Sequence, residues 1–172
     1  MSKSKKQASC DQEYMVADYL GWKVVSGSGA RPFRPGDVQN EHYLVECKTH
    51  VDRQLNIVFQ KNHWKKIAIE ARSVNKYPAL ITDNGSQKSV ATWVTIPLSA
   101  VPVEKINKLF GLNNTARTNS TITFDHSSTL SQFKSLYKDE CINCFTEWFD
   151  DARLAIMPLE EFSKFYHEEF EC

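Results

Sequence analysis

The amino-acid sequence predicts a mixed α/β domain, a central β-sheet with helices on its flanks. Short apolar runs bounded by breakers alternate with segments of helical period. Hydrophobic residues make up 41% of the 172 positions, with ten Phe and four Trp, enough for a sizeable core in one domain. The third observation is the stretch from Gly36 to Lys48, where an alternating strand follows a breaker and ends in charge.

The elements follow in order. Residues 9–21 read as a helix with Ser9 as N-cap and Gly21 as the stop. Tyr14, Val16, Ala17 and Leu20 give it an apolar side, and Glu13 lies one turn ahead of Ala17, where it can face the sheet edge. Residues 22–26 read as a strand. The loop after it holds Gly27, Ser28, Gly29, Arg31, Pro32, Phe33, Arg34, Pro35 and Gly36. Arginine forks and backbone N–H groups in such a loop can hold phosphates, and an ordinary connector can have the same composition. Residues 49–54 make a polar turn, and Ile57, Val58 and Phe59 a short strand. In 62–75, Trp64, Ile67, Ala68, Ala71 and Val74 recur at helical spacing. Lys61, Lys65, Lys66, Arg72 and Lys76 surround that helix as a phosphate-binding face or a solvated one. Gln60 points into the site or lies on the surface.

Residues 78–82 predict a strand, Asp83-Asn84-Gly85-Ser86 a hairpin turn, and 90–96 the returning strand. A short helix is expected over 98–110, a polar loop over 111–120, a strand over 121–124 and a helix over 130–140. Residues 153–158 repeat the apolar-run-then-Pro-Leu pattern of 93–98, and one of these two units is expected to close the sheet. A last amphipathic helix is expected over 160–170.

Charge and cysteine content narrow the classes. Lys+Arg and Asp+Glu each total 21, so overall charge does not announce a polyanion and any basic surface is local. No apolar run is long enough to span a bilayer and no signal peptide is visible, so an intracellular, cytoplasmic protein without a membrane partner is expected. Five cysteines, an odd number, read as reduced thiols. Cys141 and Cys144 have metal-knuckle spacing with no second such pair after them, which leaves zinc ligands or free thiols open. His50 and His63 are DNA contacts or ordinary surface residues.

The chemistry concentrates between Asp37 and Lys48. In a strand over residues 43–48, Tyr43, Val45 and Cys47 share one face and Leu44, Glu46 and Lys48 the other. Glu46 and Lys48 then stand about 6–7 Å apart along the strand. If Asp37 pairs back as a hairpin or bent strand, it reaches Glu46. Two carboxylates suit Mg²⁺ with several waters left on it, and a lysine beside them can orient a water or hold a phosphate oxygen. Glu-x-Lys alone is a common tripeptide; its surroundings give it meaning.

Those surroundings resemble the PD-(D/E)XK nuclease superfamily, closest to phage-type and archaeal Holliday-junction resolvases. The matching parts are the helix with Glu13, residues 22–29, Gly36-Asp37-Val38, Leu44-Val45-Glu46-Cys47-Lys48-Thr49, the basic helix, and Pro78-Ala79-Leu80-Ile81. They cover roughly 9–97, with the strand and helix at 153–170 as a further match. The resemblance implies a restriction-endonuclease-like core over 1–97, with 151–172 packing on it and 98–150 an insertion without a counterpart, left to set substrate choice. It implies that Asp37, Glu46 and the Cys47 carbonyl ligate Mg²⁺ (Mn²⁺ substituting), with Glu13 helping, and that Lys48 acts on the nucleophilic water. Ser28 matches the loop serine, with Ser26 as the other choice. Archaeal members carry an arginine where Ser26 stands, a role left here to Arg31 or Arg34. DNA contacts fall to Ser28, Arg31, Arg34, Lys61, Lys65 and Lys66. The expected protein is a homodimeric Mg²⁺-dependent DNA endonuclease acting on branched DNA. The alternatives are a restriction or mobile-element endonuclease cutting duplex, and a non-catalytic nucleic-acid-binding module.

Overall fold

A computed structural model describes residues 4–26, 35–102, 104, 106–110, 115–135 and 142–171, with the backbone alone over 106–110. The protein is α/β, with a mixed sheet flanked by helices. The chain runs α1 (Lys5–Leu20), β1 (Lys23–Val24), β2 (Val38–Gln39), β3 (Tyr43–Lys48), β4 (Asn56–Gln60), α2 (Lys61–Ser73), β5 (Tyr77–Asp83) and β6 (Thr92–Pro97). It continues through β7 (Ile106–Phe110), β8 (Ala116–Arg117), β9 (Thr121–Asp125), α3 (His126–Ser135), β10 (Ile142–Phe149), β11 (Ala152–Pro158) and α4 (Leu159–Phe170). Among the described residues eight strands form the main sheet, in the order β1-β2-β3-β5-β6-β11-β10-β7, and β4-β9-β8 form a small second sheet.

β3 and β5 run parallel, Glu46 opposite Leu80. A parallel pair needs a crossover, and β4 with α2 supplies it. β2 and β6 run antiparallel to β3 and β5 respectively. The alternation read in β3 holds: Tyr43, Val45 and Cys47 join one core and Leu44 the other. In the first, Val16, Ala17 and Leu20 of α1 and Phe162, Phe165 and Tyr166 of α4 cover the sheet. In the second, Trp64, Ile67 and Ala71 of α2 meet Trp93, Phe124, Phe133 and Phe145. Two covered faces explain why the central strands are apolar almost throughout.

The structure corrects several expectations. α1 begins at Lys5, because Ser4 is the cap and accepts a hydrogen bond from Gln7 N at 3.2 Å. Ser9 instead donates to Glu13 Oε1 at 3.2 Å, and Tyr14 is exposed rather than part of the apolar side. The turn after β5 is longer than read: residues 84–91 include a 3₁₀ turn at Ser89–Ala91, and Val90 is exposed outside the strand. The helix expected over 98–110 is a 3₁₀ turn at Leu98–Ala100 and then strand β7, which pairs with β10 in parallel. β10 itself carries no strand prediction in the sequence reading. Within the polar segment 111–120, Ala116–Arg117 pairs with β9; residues 111–114 lie outside the described residues. The helix expected over 130–140 runs from His126 to Ser135. The two Pro-Leu units pair with each other, Leu154 opposite Pro97 and Pro158 opposite Trp93. Both are therefore interior strands, and β1 and β7 are the edges.

Candidate active site

Gly36 sets the position of Asp37. Its φ is 73°, and a Cβ there would stand 2.7 Å from Leu44 Cδ1, so backbone freedom and close packing both select glycine. Asp37 N then donates to Val45 O at 2.7 Å, and Val25 N donates to Asp37 O at 2.8 Å. β2 begins one residue later, with Val38 opposite Val45. Beyond that pair the Asp37 side chain continues the ladder, Oδ2 accepting from Cys47 N at 2.8 Å. One short hairpin thus carries the aspartate to the Glu46–Lys48 end of β3.

Glu46 is buried, its side chain only 3% exposed. Lys48 Nζ lies 2.5 Å from Oε1, and Lys66 Nζ, from α2, 2.8 Å from Oε2. Lys48 Nζ also donates to Cys47 O at 3.1 Å. Burial pushes the Glu46 carboxyl up, but the hydrogen bonds from Lys48 and Lys66 outweigh it and hold the group below its usual value. Asp37 goes the other way: burial first, and then the charge of Glu46, push it up. Glu13 is pushed up as well, by burial and then by the charge of Asp37. Burial raises the Cys47 thiol well above its usual range, with Asp37 and Glu13 adding to it, so this sulfur stays protonated and inert.

Asp37, Glu46, Lys48 and Glu13 therefore share one electrostatic neighbourhood. Lys66 belongs to it too, although the sequence reading placed it with the DNA contacts. The other two lysines of that set lie elsewhere. Lys61 and Lys65 both pair with Asp150 in the β10–β11 turn, Lys65 at 3.1 Å. Gln60 lines a groove of about 520 Å³ with Lys61, Asn62, Lys65, Ser120 and Thr121. Ser28, Arg31, Arg34 and Cys141 lie outside the described residues. Cys144 is a buried free thiol, pushed up to about 12 by burial and then by the charge of Glu161.

Sequence reasoning passed over two further participants, Gln12 and Glu70, and weighed a third, His63, only as a DNA contact or a surface residue. Gln12 is fully buried and donates through Nε2 to Lys48 O at 2.8 Å, leaving its Oε1 buried without a partner. Glu70 accepts from Gly36 N at 3.2 Å and lies 3.8 Å from Lys66 Nζ. The charges of Lys48, Glu46 and Lys66 all act on His63, whose pKa is lowered by burial first. A glutamine on the buried face of α1 and polar residues one turn apart on α2 were the available signals.

The donors are hard oxygens, the chemistry a small divalent cation prefers. Among the described residues no three His, Cys, Asp or Glu side chains converge tightly enough to hold a metal ion by themselves. A cation here would take Asp37, Glu46 and the Cys47 carbonyl, with waters completing its shell. The orphaned Gln12 oxygen and the two ammoniums on Glu46 fit that chemistry, since both mark a place that draws positive charge. Compared with family models, curated proteins and solved structures, the chain matches none.

Proposed function

We propose that the protein is a Mg²⁺-dependent DNA endonuclease of the PD-(D/E)XK kind, with a restriction-endonuclease-like core and a resolvase-like preference for branched DNA. One observation carries the reading: Asp37 Oδ2 caps Cys47 N at 2.8 Å while Glu46, one residue earlier, holds Lys48 at 2.5 Å. Two carboxylates, a backbone carbonyl and an ammonium thus meet at one strand end, although nothing in strand packing calls for them. The metal would supply an activated water and offset charge on the scissile phosphate. Asp37, Glu46 and the Cys47 carbonyl would hold it. Lys48 orients the attacking water or steadies a phosphate oxygen, and Gln12 fixes the Lys48 backbone. Glu13 adds negative charge on the α1 side. Cuts on two symmetric strands need two sites, which suits a homodimer.

The test is cleavage of a four-way junction and of linear duplex, with Mg²⁺ and with EDTA. Junction cutting that stops in EDTA is expected, and Asp37→Ala, Glu46→Ala and Lys48→Ala should each lose cleavage while retaining DNA binding. Duplex cut as well as junction would favour a restriction or mobile-element enzyme. Full activity in any of the three variants, or in EDTA, removes the scheme. DNA binding without cleavage or metal uptake would leave a binding module.

A further inference from the structure

We infer that Lys66 is a place-holding cation, its ammonium standing on Glu46 where a divalent metal would bind, so that α2 sets the metal affinity of the site. The inference rests on the metal-dependent reading above.

Glu46 has both oxygens engaged, Oε1 by Lys48 at 2.5 Å and Oε2 by Lys66 at 2.8 Å. Each oxygen keeps a second lone pair, but an ammonium held this close repels an arriving dication, so metal binding favours release of one of the two. The two lysines are not equivalent. Lys48 sits two residues away on the same strand, and its Nζ is held a second time by Cys47 O at 3.1 Å, a carbonyl whose second lone pair stays open to a metal. Lys66 reaches in from another element, and its side chain is 52% exposed. Lifting a half-exposed lysine into water costs no more than about one charge-assisted hydrogen bond, because water resolvates its head.

Lys66 also has somewhere to go. Glu70 is one helical turn further along α2, its Oε1 3.8 Å from Lys66 Nζ. The same carboxylate accepts from Gly36 N at 3.2 Å through Oε2, which fixes it beside the Asp37 hairpin. An ammonium leaving Glu46 therefore exchanges one anion for another at i,i+4 spacing. Without metal, Lys66 offsets part of the charge of Asp37 and Glu46. With metal, that duty passes to the divalent ion and the lysine turns to Glu70 and the solvent side.

Isothermal titration of the full chain with MgCl₂ alone, without DNA, tests this. Lys66→Met should bind Mg²⁺ about tenfold more tightly than wild type, the equivalent of one charge-assisted hydrogen bond no longer competing. Lys66→Gln keeps a donor without the charge and should fall between them; it also keeps the test alive if the methionine variant folds poorly. Lys164→Met removes a distant charge on α4 and should leave the affinity unchanged. In EDTA the Lys66→Met protein should melt below wild type, because Glu46 loses a partner, and Mg²⁺ should raise its Tm by more. A purely structural lysine would lower stability with and without Mg²⁺ alike. Wild-type binding with equal or weaker binding in both Lys66 variants overturns the inference and leaves the metal site standing. No binding by any of these proteins removes the metal reading itself, and the inference with it.

Discussion

β3 and β11 are both interior strands of the main sheet, and both are covered on two faces. β11 fills its covered stretch with Leu154, Ala155, Ile156 and Met157, all fully buried. β3 begins the same way, with Tyr43, Leu44 and Val45, and then places Glu46 in the buried run and Lys48 at its end. Apolar burial accounts for β11 completely. It does not account for Glu46, whose desolvation is only offset by the lysines brought to it. Apolar residues of similar volume in place of a buried ion pair are often neutral or stabilising for folding. A buried carboxylate with two ammoniums and a raised aspartate beside it is what the proposed chemistry requires and what strand packing does not.

The difference between the strands can be broken at either end. The largest effect is expected in the charged one. Glu46→Ala should reduce cleavage by at least about a thousandfold, read in single-turnover junction assays. The apolar strand should answer in stability alone. Ile156→Ala should cost about 2–5 kcal/mol in urea unfolding and leave Mg²⁺ affinity unchanged.

Asp37→Asn sharpens the comparison by changing its sign. Asparagine can still accept from Cys47 N, but the charge that burial and Glu46 disfavour is gone. In EDTA at pH 7 the variant should melt a few degrees above wild type, although it should not cut. Because the folded pKa of Asp37 is raised, wild type loses stability as pH rises through it. The advantage of the variant should therefore fade as pH falls below the ordinary aspartate value of 3.8, where the wild-type side chain is neutral in both states. Mg²⁺ should reverse the order, since only wild type gains from binding it. The smallest effect is expected at the start of α1, which brings Gln12 and Glu13 to the charged end. Ser4→Ala removes the cap on Gln7 N and should cost about 1 kcal/mol in chemical denaturation.

What could be read in advance follows a physical line. Period-two alternation in Tyr43–Lys48 and helical spacing in Trp64, Ile67 and Ala71 are local, so β3 and α2 could be read with the correct buried sides, although Val74, read on the same side, is exposed just past the end of α2. The breaker at Gly36 and the carboxylate after it were legible as a hairpin bringing Asp37 to Glu46. The expected helix over 98–110 failed because pairing with β10, a distant strand, overrode local propensity. The first helix was started late because Ser9 and Ser4 are equally good caps on paper. Only the fold shows which hydroxyl meets a free N–H.

By itself the sequence determined the charged cluster around one strand: which residues alternate, where the chain must turn, and which charges end the apolar run. Tertiary structure alone decided how the three lysines of α2 divide, Lys66 going to Glu46 while Lys61 and Lys65 go to Asp150. It also decided that Gln12 ties Lys48 from a neighbouring helix and that the two Pro-Leu strands pair with each other. The reason is range. A side chain's face within its own element follows from backbone geometry, whereas its partner in another element depends on how the whole sheet packs.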